Sequence, residues 1–166
     1  MKLSRYLKEE LIKLEMETVI GPPPENGSLE KWRARNKELI LEELVNLFDQ
    51  GARIGNRCKL LVDFVNRERK ATTAIGHGVA IPHIRSMQAK DFMLSFARSS
   101  QGYDFDAPDD EPVRLFFAMA APPYDDSFYL KAFKALAELL HDEAVREELL
   151  AVTRPGEVIR ILRANE

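Results

Sequence analysis

The run Val113-Arg114-Leu115-Phe116-Phe117-Ala118-Met119-Ala120 is apolar at all but one position. A strand with one wet face alternates apolar and polar residues, whereas this run does not, so it reads as a strand covered on both faces. Such a strand needs packed layers on either side, and helical patterns elsewhere in the chain supply them. Phe92-Met93-Leu94-Ser95-Phe96-Ala97 is a second strand with Phe92, Leu94 and Phe96 on one face, and Val79-Ala80-Ile81 is a third, closed by Pro82. Leu11 to Leu14 is a candidate strand after a short helical turn near Leu3. Ser28 can cap a helix carrying Leu29, Trp32, Ile40, Leu44 and Leu47, with Asn36 as a candidate interruption and Gly51 as its C-terminal cap. A second helix fits Asn56 to about Arg69, with Leu60, Leu61, Phe64 and Val65 inward. Ser127 or Asp126 can open a third, packed through Leu130, Phe133, Leu136, Ala137 and Leu140; two short helices follow Asp142 and Pro155. Proline-rich Gly21 to Gly27 is a loop, and Gln101-Gly102 and Ala107 to Asp110 are turn chemistry. Strands and helices alternate without internal repeat, which predicts one α/β domain over residues 1–166, a mixed sheet flanked by helices.

Composition narrows the function classes. The 166 residues carry a formal charge of −3, which gives no general electrostatic reason to bind nucleic acid or an anionic membrane. The single cysteine, Cys58, excludes an internal disulfide and is compatible with a reducing compartment. No stretch approaches the ~18 apolar residues of a membrane span, and Met1-Lys2-Leu3-Ser4 does not lead into the apolar core of a signal peptide. The expectation is a cytoplasmic domain with no membrane insertion.

The chemistry lies between Asn66 and Arg85. Gly76 and Gly78 allow backbone amides to approach a ligand, and a short apolar strand then presents His83 just past Pro82, where the chain has little freedom to withdraw it. A histidine near its ordinary pKa of about 6.5 is largely neutral at pH 7 and has one ring nitrogen free as a nucleophile. If that nitrogen takes a phosphoryl group, cations and donors must meet the transferring oxygens; Arg67, Arg85 and the Thr72 and Thr73 hydroxyls are the local candidates. The plainer readings stand beside these: His83 as a core histidine, Arg67 as a surface ion-pair partner, and His77 as a loop residue with no role. His77 and His83 as a metal pair would lie about 20 Å apart on an extended chain with no third ligand evident, so neither metal nor cofactor is expected. Gly76-x-Gly78 lacks the third glycine of a dinucleotide fingerprint. Lys31, Arg33, Arg35 and Lys37 around Trp32 are a solvated helix face or a docking patch, and His141 is a cation suited to a helix end.

Arg67-Glu68, followed by Thr73-Ala74-Ile75-Gly76-His77-Gly78-Val79-Ala80-Ile81-Pro82-His83, resembles the active-site signature of type-2 enzyme IIA domains of the sugar phosphotransferase system. That signature has Arg-Glu, then Thr-Gly-Ile-Gly-x-Gly, an apolar pair and Ala-Ile-Pro-His. The likeness continues through Tyr103 to Ala107, Pro112-Val113 and the helix after Ser127. It implies a sheet of about five strands flanked by helices, and a phosphocarrier of the fructose, mannitol or nitrogen-regulatory kind. His83 takes the place of the phosphoacceptor, which would be charged by phosphocarrier protein HPr or a relative and discharged to a IIB domain or a regulatory partner. Arg67 matches the arginine near the phosphoryl site, and Thr73 and Gly78 match positions in the approach loop. His77 and Arg85 are expected to line the site. With no sugar-specific domain fused to it, the chain is expected to suit the nitrogen-regulatory branch at least as well as sugar uptake.

The departures from the signature are specific. Tyr129 stands where a second histidine usually opens the long helix, Ile84 replaces a frequent glycine, and His77 replaces the usual asparagine between the glycines. Residues 21–36 look like an insertion. A tyrosine can hydrogen-bond a phosphoryl oxygen but carries no positive charge near neutral pH. Its hydroxyl is expected to face His83. The alternative function is a regulatory protein-binding module with weak or no phosphotransfer.

Overall fold

The computed structural model describes residues 1–125 and 127–166. After two single-turn 3-10 segments, Leu3–Arg5 and Glu9–Leu11, the strand expected over Leu11 to Leu14 is confined to β1, Ile12–Lys13. The long helix α1 spans Leu29–Gly51, capped by the Ser28 hydroxyl, which accepts from the Lys31 amide. Asn36 does not interrupt it but lies buried within it, and Gly51 is its last residue, with Ala52 as the cap. Of the apolar face expected for α1, Leu29 is exposed, because the first turn stands clear of the core. The second helix α2, Arg57–Lys70, opens on Asn56, whose side chain accepts from the Lys59 amide. Then come β2 (Ala74–Gly76), β3 (Val79–Ala80), β4 (His83–Arg85), β5 (Met93–Tyr103), β6 (Val113–Ala121), α3 (Phe128–His141), α4 (Glu143–Ala151) and α5 (Pro155–Asn165).

The sheet order is β1-β5-β6-β3-β2, with β4 also paired to β6. β5 and β6 are antiparallel, while β3 and β4 both run parallel to β6. Each paired residue of β3 and β4 lies 36 positions before its partner, Val79 with Leu115 and His83 with Met119 alike. The two strands are therefore one line of chain in one register, split at Ile81-Pro82, because Pro82 has no N–H for the ladder. The sheet has six strands by name and five by path.

Leu115 through Ala121 are each 1% exposed or less, as a strand covered on both faces requires. α1 packs on α2 and β5, with Phe48 and Phe64 stacked at 6.1 Å, and α4 packs on β6 and between α3 and α5. Two expectations are corrected. Gln101-Gly102 is not a turn: it lies inside β5 at a register shift, where Gly102 has φ +82°. A Cβ there would meet Pro112 Cβ at 2.8 Å, so the position needs glycine for a bulge rather than a reversal. Leu130 is exposed, since the buried side of α3 runs through Tyr129, Ala132, Leu136 and Leu140. Asp126, one of the two expected caps of α3, lies outside the described residues. Ser127 makes no side-chain cap bond; the Asp125 carboxylate accepts from the amides of Phe128 and Tyr129 instead. No described helix is long and apolar enough to cross a membrane.

Candidate functional site: a histidine at the end of a parallel strand pair

His83 opens β4 beside the carboxyl end of β6, from which the chain leaves for α3. In open α/β sheets this crevice beyond parallel strand ends is where ligands sit. Strand alternation puts His83 and Arg85 on one face and buries Ile84 on the other. Two helices close on the ring. α2 brings Arg67 from one side, and α3 brings Tyr129 and Phe133, one turn apart on a shared helix face, to 5.9 and 4.6 Å between ring centres.

The hydrogen bonds of the ring assign its tautomer. Nδ1 lies 2.6 Å from the Ile81 carbonyl oxygen, which can only accept, so Nδ1 carries the proton. Nε2 is therefore unprotonated, and its lone pair faces Arg67 Nη2 at 3.5 Å. Arg67 is held in turn by Nη1, which donates to the Ala71 carbonyl at 2.8 Å. Burial lowers the pKa of His83, and the Arg67 charge adds to this; the Ile81 bond and the Glu68 charge oppose it without reversing it. The half-buried ring is thus neutral at pH 7, with one nitrogen free.

Tyr129 is buried beside the ring, and burial pushes its hydroxyl pKa up to about 12 against the opposing charges of Arg85 and Arg67. It is a neutral donor throughout the physiological range. Arg85 lays its guanidinium over the Tyr129 ring at 4.9 Å, a cation–π contact that places a second positive charge at the mouth of the site. The structure thus brings together His83, Arg67, Tyr129 and Arg85.

The other expected residues sit differently. Thr73 is buried and turned away into α2, its hydroxyl and amide both donating to the Glu68 carboxylate. His77 and Gly78 form the two-residue turn between β2 and β3, both with positive φ (57° and 75°), as a twisted hairpin favours. The His77 amide donates to Asp109, and its exposed ring packs edge-on to His141 at 6.0 Å. The basic residues of α1 are largely engaged in ion pairs: Arg33 with Asp104, Arg35 with Glu38, and Lys37 with buried Glu68. Among the described residues, no group of three or more His, Cys, Asp or Glu side chains is placed to share a metal ion. Sequence reasoning missed Phe133 and Glu68 as neighbours of the ring. Phe133 could have been found from its i+4 spacing to Tyr129, whereas Glu68 stands in the Arg-Glu pair of the signature but shows nothing there of its bonds to Thr73.

The family model described as "Phosphoenolpyruvate-dependent sugar phosphotransferase system, EIIA 2" matches residues 28–165. The chain belongs to this family. Among curated members, it is 38% identical over 128 residues to the fructose-specific EIIA component of Haloferax volcanii, covering 77% of this chain and 82% of that one. It is 28% identical along its whole length to the fructose-specific EIIABC component of Bacillus subtilis, of which it spans only 24%. Among solved structures it is similar to the nitrogen regulatory protein IIA-Ntr of Neisseria meningitidis, with a TM-score of 0.80 and 29% identity over 96% of this chain and 98% of that one. These EIIA relatives thus carry both sugar-transport and nitrogen-regulatory names.

Proposed function

We propose that this EIIA-family chain is a histidine phosphocarrier of the phosphotransferase system, accepting a phosphoryl group on Nε2 of His83. The observation that supports it best is the pairing of Nδ1 with the Ile81 carbonyl while Nε2 faces Arg67. In the step itself, the Nε2 lone pair attacks the phosphorus of an HPr-like phosphohistidine donor. The N–P bond in the donor breaks, and its electron pair returns to the donor ring. No proton need leave His83 Nε2, because none is there. Arg67 lies where it can neutralise charge on the three phosphoryl oxygens, with the Tyr129 hydroxyl and Arg85 as further partners. Transfer onward to a IIB domain or to a regulatory protein reverses the same chemistry, in the cytoplasm where such donors work.

A second reading, a regulatory protein-binding module with weak phosphotransfer, is favoured by Tyr129, whose neutral hydroxyl replaces a group able to carry charge. Incubation with enzyme I, HPr and labelled phosphoenolpyruvate, followed by mass spectrometry under alkaline conditions that preserve phosphohistidine, tests both. Phosphate on His83, absent from His83→Ala, supports the carrier; label retained on His77 or His141 in His83→Ala overturns the assignment. If no donor phosphorylates the protein, the regulatory module is the better reading.

A further inference from the structure

Beneath Arg67 lies a buried polar chain that the phosphotransfer chemistry does not itself use. The Glu68 side chain is 3% exposed and that of Lys37 12%, and their charged ends are 3.1 Å apart. One Glu68 oxygen accepts from the Thr73 amide at 2.8 Å and from Lys37, and the other accepts from the Thr73 hydroxyl. Lys37 is fixed further by the Thr72 hydroxyl at 3.4 Å and by the Phe105 ring, 4.8 Å below its ammonium. Thr72 in turn donates to the Phe105 carbonyl. The Thr73 carbonyl then accepts from the Ile81 amide at 3.0 Å, and Ile81 is the residue whose carbonyl holds His83 Nδ1. A continuous path therefore runs from α1 through α2 and the loop before β2 to the backbone that sets the tautomer of His83.

We propose that Glu68, neutralised by Lys37, is a positioning residue for the acceptor histidine, holding Ile81 through Thr73 so that His83 keeps its proton on Nδ1 and its lone pair on Nε2. Its effect on phosphate transfer rests on the carrier reading above, but its effect on the ring does not. A buried carboxylate is retained only where donors and a counter-charge satisfy it; here the counter-charge comes from Lys37 on α1, and the other donors, the Thr73 amide and hydroxyl, belong to the segment that leads to Ile81. Without the anchor the Thr73 loop and Ile81 are free to shift, and the ring is free to exchange its proton between nitrogens. A histidine with its proton on Nε2 has no lone pair to offer on the side that Arg67 faces.

The test is nitrogen-15 NMR of the His83 imidazole in the full chain, read beside the rate of phosphate acceptance from phospho-HPr. Thr73→Val keeps the side-chain shape but removes the hydroxyl link, and Thr73→Ser restores it. Glu68→Gln is read alone and with Lys37→Met, which removes the cation that Glu68→Gln leaves with Asp106, at 4.0 Å, as its ion-pair partner. Thr73→Val and Glu68→Gln are expected to mix the two tautomers and slow acceptance about tenfold. Thr73→Ser should keep the parent tautomer and rate. If Thr73→Val and the Glu68→Gln/Lys37→Met pair fold and keep a pure Nδ1–H tautomer, Glu68 serves stability alone and the proposal is overturned, whatever the phosphotransfer rate. If the tautomer mixes in these variants while the parent accepts no phosphate from any donor, the positioning stands and the carrier reading fails.

Discussion

Replacing Arg67 by alanine isolates the charge that faces the acceptor nitrogen. The guanidinium is 3.5 Å from Nε2, so it lies within reach of oxygens on a phosphorus bonded there. A hydrogen bond to a charged group is worth about 1.5–3 kcal/mol, which corresponds to roughly a ten- to a hundredfold loss of transfer rate. The stability cost is separate and smaller. Arg67 makes one side-chain bond to the backbone, to the Ala71 carbonyl, and an exposed bond of that kind contributes about 1 kcal/mol, or roughly 2–4 °C in Tm for a chain of this size. A second readout needs no phosphate: the Arg67 charge lowers the His83 pKa, so Arg67→Ala should raise it. Arg67→Lys should fall between, because a single ammonium cannot hold the Ala71 carbonyl and face Nε2 at once. Rapid-quench transfer from labelled phospho-HPr, thermal melting and an NMR titration of His83 measure the three effects. A well-folded Arg67→Ala protein with parental rate and an unmoved His83 titration would refute the assignment.

Tyr129→His places a titratable group where a neutral phenol now stands, and is expected to speed phosphate acceptance several-fold; an unchanged rate in the same quench assay would remove Tyr129 from the site's chemistry. Because burial and Arg67 lower the His83 pKa, the free base persists as pH falls through about 6.5, the ordinary histidine value, so acceptance should stay level there and decline only at lower pH. The linked stability has the same sign: the neutral ring favours the fold above the unfolded pKa, and this contribution is lost as pH falls through the folded one. An NMR titration that places His83 at or above the free-histidine value would contradict this. Arg98 donates to the carbonyls of Leu14, Leu149, Leu150 and Val152, tying the end of α4 to the strand edge. Arg98→Met leaves those acceptors without it and should cost about 2–3 kcal/mol, a fall in Tm of roughly 4–12 °C with the transfer rate kept.

What was legible in the sequence was whatever depends on local pattern. The nearly continuous apolar run of β6, the Ser28 cap, the start of α2 at Asn56 and the His83 motif each carry their signal within a few residues. Gly102 shows the limit of such signals. Its composition announces a positive φ, but whether that backbone reverses the chain or bulges a strand depends on Pro112 and Arg114, which pack against it. Leu130 fails for a related reason, since apolar identity gives a residue's preference while the helix phase set by Tyr129 and Leu136 decides its face. In the site, the 16-residue separation of Arg67 and His83 locates the pair, but not which ring nitrogen the arginine meets.

That last choice is made by a single peptide unit. Pro82 has no N–H to give β6, and the Ile81 carbonyl, on the same side as the Ile81 amide that donates to Thr73, faces away from β6. The ladder resumes at once, the Pro82 carbonyl accepting from Met119 and His83 standing opposite the same residue. The strand thus keeps its register while one peptide is excused from the sheet, and the carbonyl of that peptide accepts from Nδ1 of His83. The break that divides β3 from β4 and the acceptor of the Nδ1 proton therefore lie in one peptide unit. In Ala80-Ile81-Pro82-His83, the proline interrupts the ladder on the β6 side, and the Ile81 carbonyl on the opposite side receives the ring.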